Sequence, residues 1–186
     1  MTLVLAGTGL GVLPSVAGAA TPSATVTGCP TGWGSLPKDA AGSGVQHSLV
    51  NIRTGQHPCY DRMVLDIPGT SPAGPVGYHV RYVASFIQDG SGKTIPVAGG
   101  AILEIVAIAP SYNSATGATT YPARAGQPLP GVNLTGYRTF KDTKFGGSFE
   151  GQSQVGLGVR ARLPFRVFQV DDRLVIDVAH SWNASF

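Results

Sequence analysis

Few side chains in this sequence are spaced to do chemistry together. The histidines, His47, His57, His79 and His180, stand far apart. None forms a His-x-x-x-His pair or has a Glu at the spacing that puts two zinc ligands on one face. No metal site is expected, and the four read as surface or turn residues. There is no Gly-x-Ser-x-Gly elbow to raise a nucleophilic serine. Ser91 stands in Gly90-Ser91-Gly92, an ordinary hairpin loop, and Cys59, if oxidised, has no thiolate to offer. A glycosidase-type pair would have to use Glu104, in Leu103-Glu104-Ile105, and Glu150, after Ser148-Phe149. Such carboxylates must flank a cleft, and the plainer reading of each is an outward strand acid, Glu150 opening a strand. Gly146-Gly147 and Gly156-Leu157-Gly158 lie among strand formers, without the strand–loop–helix setting of a phosphate cradle. The chain reads as non-enzymatic, with no catalytic residue and no cofactor.

A group suited to binding remains: Tyr60, Asp61, Arg62, Tyr78, Arg81 and Tyr82, with Trp33 upstream. Aromatic faces stack on sugar rings, and Arg or Asp hydrogen-bonds hydroxyl, acetamido or carboxylate groups. The competing reading is structural, with Arg–Asp surface pairs and aromatic cross-strand contacts. A sequence echo bears on it. Asp61-Arg62-Met63-Val64-Leu65-Asp66-Ile67 and Asp172-Arg173-Leu174-Val175-Ile176-Asp177-Val178 share one pattern of Asp, Arg, apolar, Val, apolar, Asp, apolar. In a strand it sends the apolar residues to one face and Arg, Val and Asp to the other. The two segments are either symmetry-related halves or antiparallel neighbours. In the second case Arg62, Asp66, Arg173 and Asp177 form a structural charge group.

The elements that must position these residues are strands. Runs of β-branched and aromatic residues at period two, broken by Gly, Pro, Asn and Asp, predict strands over 47–53, 62–67, 77–86, 95–97, 101–109, 137–140, 154–163, 165–170 and 173–179. The last two make a hairpin around Asp171-Asp172. No window has helical periodicity, and 26 Gly with 14 Pro oppose long helices. The expected fold is all-β, an antiparallel sandwich of about eight or nine short strands over 45–180. Residues 110–131 are its longest irregular stretch, and 181–186 a tail.

Upstream, residues 1–19 carry no charge and pair an apolar run with Ala17-Gly18-Ala19, the pattern of a cleaved secretory signal peptide. The basic start of such a peptide is missing, which places the true start further upstream. The run is too short and too broken by Gly and Pro to span a membrane. Residues 20–44, with Lys38 and Asp39 their only charges, read as a flexible lead-in. In an exported chain the two cysteines, Cys29 and Cys59, read as a disulfide, stapling the lead-in and Trp33 to the domain. The rival is a lipobox, Val26-Thr27-Gly28-Cys29, with Cys29 acylated. The formal charge is +3 with 12% charged residues, and the bases are scattered, unlike the one-faced patches of nucleic-acid binders.

The segment 164–178, an apolar strand, an acidic turn and then Arg173-Leu174-Val175-Ile176-Asp177-Val178, resembles the C-terminal signature of AMIN domains. Arg53-Thr54-Gly55-Gln56-His57, Tyr60-Asp61-Arg62, Gly77-Tyr78-His79-Val80-Arg81-Tyr82 and Gly147-Ser148-Phe149-Glu150-Gly151 resemble the AMIN-like proteins of high-GC Gram-positive bacteria. The resemblance spans roughly residues 45 to 179. It implies a compact β-sandwich, exported or lipid-anchored; this chain departs from AMIN domains in showing no attached catalytic domain. AMIN domains target envelope enzymes and secretin complexes, and some bind peptidoglycan. The expected function is therefore a non-enzymatic envelope module with a cell-wall glycan or an envelope protein as partner. In the glycan case Trp33, Tyr60, Asp61, Arg62, Tyr78, Arg81 and Tyr82 supply the surface; in the protein case an exposed sheet edge does.

Overall fold

The computed structural model describes residue 1, residue 29 and residues 32–182. Apart from residue 1, the expected signal peptide lies outside the described residues, as does most of the tail. All described secondary structure is β. Eleven strands run in the order β1 (Lys38–Ala40), β2 (Asn51–Gln56), β3 (Tyr60–Asp66), β4 (Tyr78–Val83), β5 (Phe86–Ile87), β6 (Thr94–Ile95), β7 (Ala101–Ala107), β8 (Phe140–Phe149), β9 (Gln152–Val159), β10 (Phe165–Val170) and β11 (Arg173–Ala179). A five-stranded sheet, β1-β4-β7-β9-β8, faces a four-stranded sheet, β10-β11-β3-β2, and every pairing is antiparallel.

Period-two alternation builds the core between them. Met63, Leu65, Leu174, Ile176, Val178 and Phe165 on one sheet meet Leu103, Ile105, Val155, Leu157 and Val159 on the other, each 0% exposed. Burial at this scale supplies most of the driving force for folding. The irregular segment 108–139 adds Tyr121 and Leu129 to the cluster. Tyr121 packs edge-on against Phe145, its hydroxyl lacks a partner, and burial pushes its pKa up to about 12.

Asp61 is also fully buried. Its Oδ2 accepts hydrogen bonds from the backbone N–H groups of Thr139 (2.6 Å) and Phe140 (3.1 Å), and its Oδ1 lies 3.0 Å from His180 Nε2. His180 in turn places Nδ1 3.2 Å from the Pro58 carbonyl and donates its backbone N–H to Cys59. One carboxylate thereby ties the start of β3, the start of β8 and the end of β11 together across the two sheets.

A short hairpin, β5–β6, folds over the outer face of the five-stranded sheet. Phe86 is 0% exposed there because the sheet offers it glycines: a Cβ on Gly156 would stand 2.7 Å from Phe86 Cδ1. Gly158 likewise leaves room for the Ala98 carbonyl. This gives the glycines of 156–158 a packing role.

Several expectations are corrected. The lead-in 20–44 contains β1, which pairs with β4 through Lys38↔Val80 and Ala40↔Tyr78. Lys38 also donates to the Trp33 carbonyl at 2.8 Å and sits 4.7 Å from the Phe165 ring centre. Only three residues long, β1 is too short to show periodicity. The expected strand 137–140 is instead the ten-residue β8, hidden because register shifts after Phe140 and Phe145 break its alternation. The expected strand 77–86 stops at Val83 before the chain turns into the hairpin arm. Glu150 opens no strand; with Gly151 it forms the β8–β9 turn, at φ 48° and 79°, the positive pair a tight hairpin requires.

Two measurements test this architecture. Asp61→Ala leaves two backbone donors and an imidazole without their acceptor, and should destabilise the domain by about 3 kcal/mol in denaturant unfolding. A loss below about 0.5 kcal/mol would mean that the clamp is dispensable. Gly156→Val should cost about 1–3 kcal/mol by overpacking under Phe86, and proteolysis should then cut near 88–92 first. Unchanged stability and cleavage would separate the arm from the sheet's packing.

Candidate functional site

The outer face of the four-stranded sheet carries the densest group of interacting polar and aromatic side chains. Strand register arranges it in rows. Arg166, Asp177, Arg62 and Gly55 form one, Phe168, Val175, Val64 and Arg53 the next, and Val170, Arg173, Asp66 and Asn51 the third. The echoed segments are therefore antiparallel neighbours. Arg62 stands opposite Asp177, Val64 opposite Val175, and Asp66 opposite Arg173.

Asp177, 0% exposed, is the hub. Arg62 grips it with Nε to Oδ1 at 2.6 Å and a terminal nitrogen to Oδ2 at 2.9 Å, and Arg166 Nε donates to Oδ2 at 2.8 Å. A buried carboxylate needs such partners, because removing it from water is costly. The Asp177 hydrogen bond holds the Arg62 guanidinium above its ordinary pKa. At the next charged row Arg53 binds Asp66 through two 3.0 Å contacts, with Arg173 Nε 3.9 Å away.

Aromatic rings enclose the two guanidiniums. Arg166 lies 4.5 Å from the Trp33 ring centre, 4.7 Å from Phe168 and 5.6 Å from Tyr60. Arg62 lies 5.3 Å from Tyr60 and 5.5 Å from Phe168. Trp33 meets Tyr60 edge-on at 5.5 Å, and His57 stacks on the same ring at 4.5 Å. The Cys29–Cys59 disulfide anchors the segment bearing Trp33 beside β3, and it leaves Cys29 no thiol for acylation. Beside this cluster, where Gly55 contributes no side chain, a hollow of about 290 Å³ opens over Val64 and Val175, rimmed by His57, Arg53, Arg62 and Arg173.

The structure divides the binding group read from the sequence. Trp33, Tyr60 and Arg62 meet on this face. Asp61 does not, because its neighbours point outward and it points into the clamp described above. Arg81 lies on the far side of the molecule, its Nε donating to Glu104 at 2.9 Å. Glu104 is 6% exposed and also receives the Gln154 amide at 3.0 Å. Tyr78 packs against the core. Tyr82 both donates to the Leu163 carbonyl (2.8 Å) and accepts from its N–H (3.0 Å), with burial pushing its pKa up to about 12. Arg166, Phe168 and His57 join this face from outside the group read from the sequence. Alternation along 165–170 already separates Arg166 and Phe168 from Phe165 and Val167, but nothing local says that a strand from residue 60 lies within reach.

The histidines serve separate partners: His47 beside Gly69, His57 on Tyr60, His79 on Asp39 at 2.8 Å, and His180 on Asp61. Among the described residues no three of His, Cys, Asp and Glu are placed to hold a metal ion, and no helix is long and apolar enough to cross a membrane.

The Asp177 hub is open to a direct test of the structural charge group. In a double-mutant cycle, Arg62→Ala and Asp177→Ala should couple by about 1–3 kcal/mol in unfolding free energy. Additive losses would reduce the pairing to surface decoration.

No curated protein and no solved structure matches the chain. The family model for the AMIN-like domain matches residues 47–180, from just before β2 to just after β11. Trp33, Cys29 and β1 precede that span. By this match, over most of its length, the chain belongs to the AMIN-like domain family.

Proposed function

We propose that this protein is a non-catalytic module of the cell envelope that holds peptidoglycan on the outer face of its four-stranded sheet. The observation that carries the reading is the partly exposed array of Trp33, Tyr60 and Phe168 around two guanidiniums fixed by one buried carboxylate. Rings held in place lose little entropy on binding and offer flat faces to sugars. The guanidiniums retain N–H groups for acetamido and carboxylate oxygens. The adjacent basic hollow, with its valine floor, suits the carboxylates and methyl groups carried by muramic acid and its peptide. Membership of the AMIN-like family supports an envelope role, and the disulfide supports an oxidising, extracytoplasmic compartment. A purely protein-binding module using the exposed edge of β2 is the competing function.

Co-sedimentation of the purified protein with insoluble cell wall decides between them. Wild type should pellet with the wall, and Trp33→Ala should weaken retention about tenfold at unchanged melting temperature. A protein that stays in the supernatant, or a Trp33→Ala variant retained like wild type, would overturn the assignment to this face.

A further inference from the structure

On the opposite side of the molecule the tip of the β5–β6 arm and the end of β8 enclose a second hollow, of about 260 Å³. Two backbone irregularities shape it. Gly146 is the extra residue of a bulge, with Phe145 opposite Val155 and Gly147 opposite Gln154. A bulge re-aims the residues that follow it. The Glu150-Gly151 turn then ends the strand, leaving Phe149 48% exposed at the rim. Its ring lies across Gly90 at the tip of the arm, where a Cβ would stand 3.0 Å from it.

The polar groups here fall into two sets. Gln154 holds the arm to the sheet: its amide donates to the Ile87 carbonyl (2.8 Å) and to Glu104 (3.0 Å), and its oxygen accepts from Asp89 N–H (3.1 Å). Ser148 is likewise engaged, accepting from Ser111 N–H (3.0 Å) and donating to the Gln152 carbonyl (2.7 Å). Ser91 donates to Gln88 Oε1 at 2.8 Å, but the Gln88 amide nitrogen, the Gln152 side-chain amide and the Asp89 carboxylate have no hydrogen-bond partner among the described residues. Asp89 and Gln152 also line a neighbouring hollow of about 330 Å³, which adds Arg81, His79, Asp39 and Glu104. The two spaces share a wall of donors and acceptors.

The geometry points to a second binding site at this corner, for a neutral N-acetylated oligosaccharide, with Phe149 as stacking platform and Gln88, Asp89 and Gln152 as hydrogen-bonding groups. The smaller hollow contains no Lys or Arg, so its chemistry favours uncharged hydroxyl and acetamido groups over phosphate or carboxylate. An amide pairs with an acetamido group through one donor and one acceptor, and Asp89 accepts from two adjacent hydroxyls. Volumes of this order accommodate small ligands, and the neighbouring hollow extends the track to a further sugar unit. The site stands independently of the reading given for the four-stranded face, which lies across the core and is basic.

Titration of the ¹⁵N-labelled protein with tri-N-acetylchitotriose, followed by ¹H–¹⁵N correlation spectra, tests it. The side-chain amide signals of Gln88 and Gln152 and the backbone signals of Gly90 and Gly147 should move together at millimolar sugar. Phe149→Ala should weaken the titration about fivefold or more, and Trp33→Ala should leave it unchanged. Phe149 is exposed, so its removal should not alter the fold, which the spectrum itself reports. No shift at millimolar sugar, shifts confined to Trp33, Tyr60 and Arg62, or an undiminished response in Phe149→Ala would each overturn the site. Loss of wall retention in Trp33→Ala with the chitotriose response intact would confirm that the two faces act separately.

Discussion

The burial of Asp61 determines which way β3 faces. A carboxylate withdrawn from water must be fully supplied with donors, and here the start of β8 and the His180 ring supply them. With Asp61 locked inward, alternation sends Tyr60 and Arg62 outward. A slip of one residue would bury Arg62 among leucines and strand Asp61 in solvent. That single orientation then propagates through register. Arg62 outward selects Asp177 as its partner on β11, and Asp177 draws Arg166 from β10.

Much of the sandwich was legible because its central strands alternate cleanly. Leu174, Ile176 and Val178 could hardly be read otherwise, and the echo around residues 61–67 and 172–178 left open symmetry-related halves or neighbours, of which the register selects neighbours. What the sequence concealed was whatever depends on a neighbour. Asp61 looks like a surface acid beside Tyr60 and Arg62 until β8 is known to begin against it. Gly156 looks like a flaw in a strand until Phe86 is found lying on it. In β8, two bulges destroy the periodicity on which sequence reading relies.

The two outer faces have diverged chemically although they flank one core. Over the four-stranded sheet, arginines and aromatic rings enclose a buried charge, and the disulfide holds the segment bearing Trp33 in place. Over the five-stranded sheet, the hairpin arm makes the relief and amides make the lining. A fold whose interior needs only alternation leaves its exteriors free to differ, and function on such a scaffold is a property of the surface residues.

The strand β1 shows where this folding unit starts. The family match begins at residue 47, yet three backbone-paired residues at 38–40 cover the edge of β4. Without them the five-stranded sheet would present an open rank of N–H and C=O groups, the kind of surface on which unrelated chains add strands and aggregate. The boundary drawn by hydrogen bonding thus lies upstream of the one drawn by similarity. Strand β1 occupies that edge with backbone of the same chain, and trimming to the match would leave the edge of β4 open.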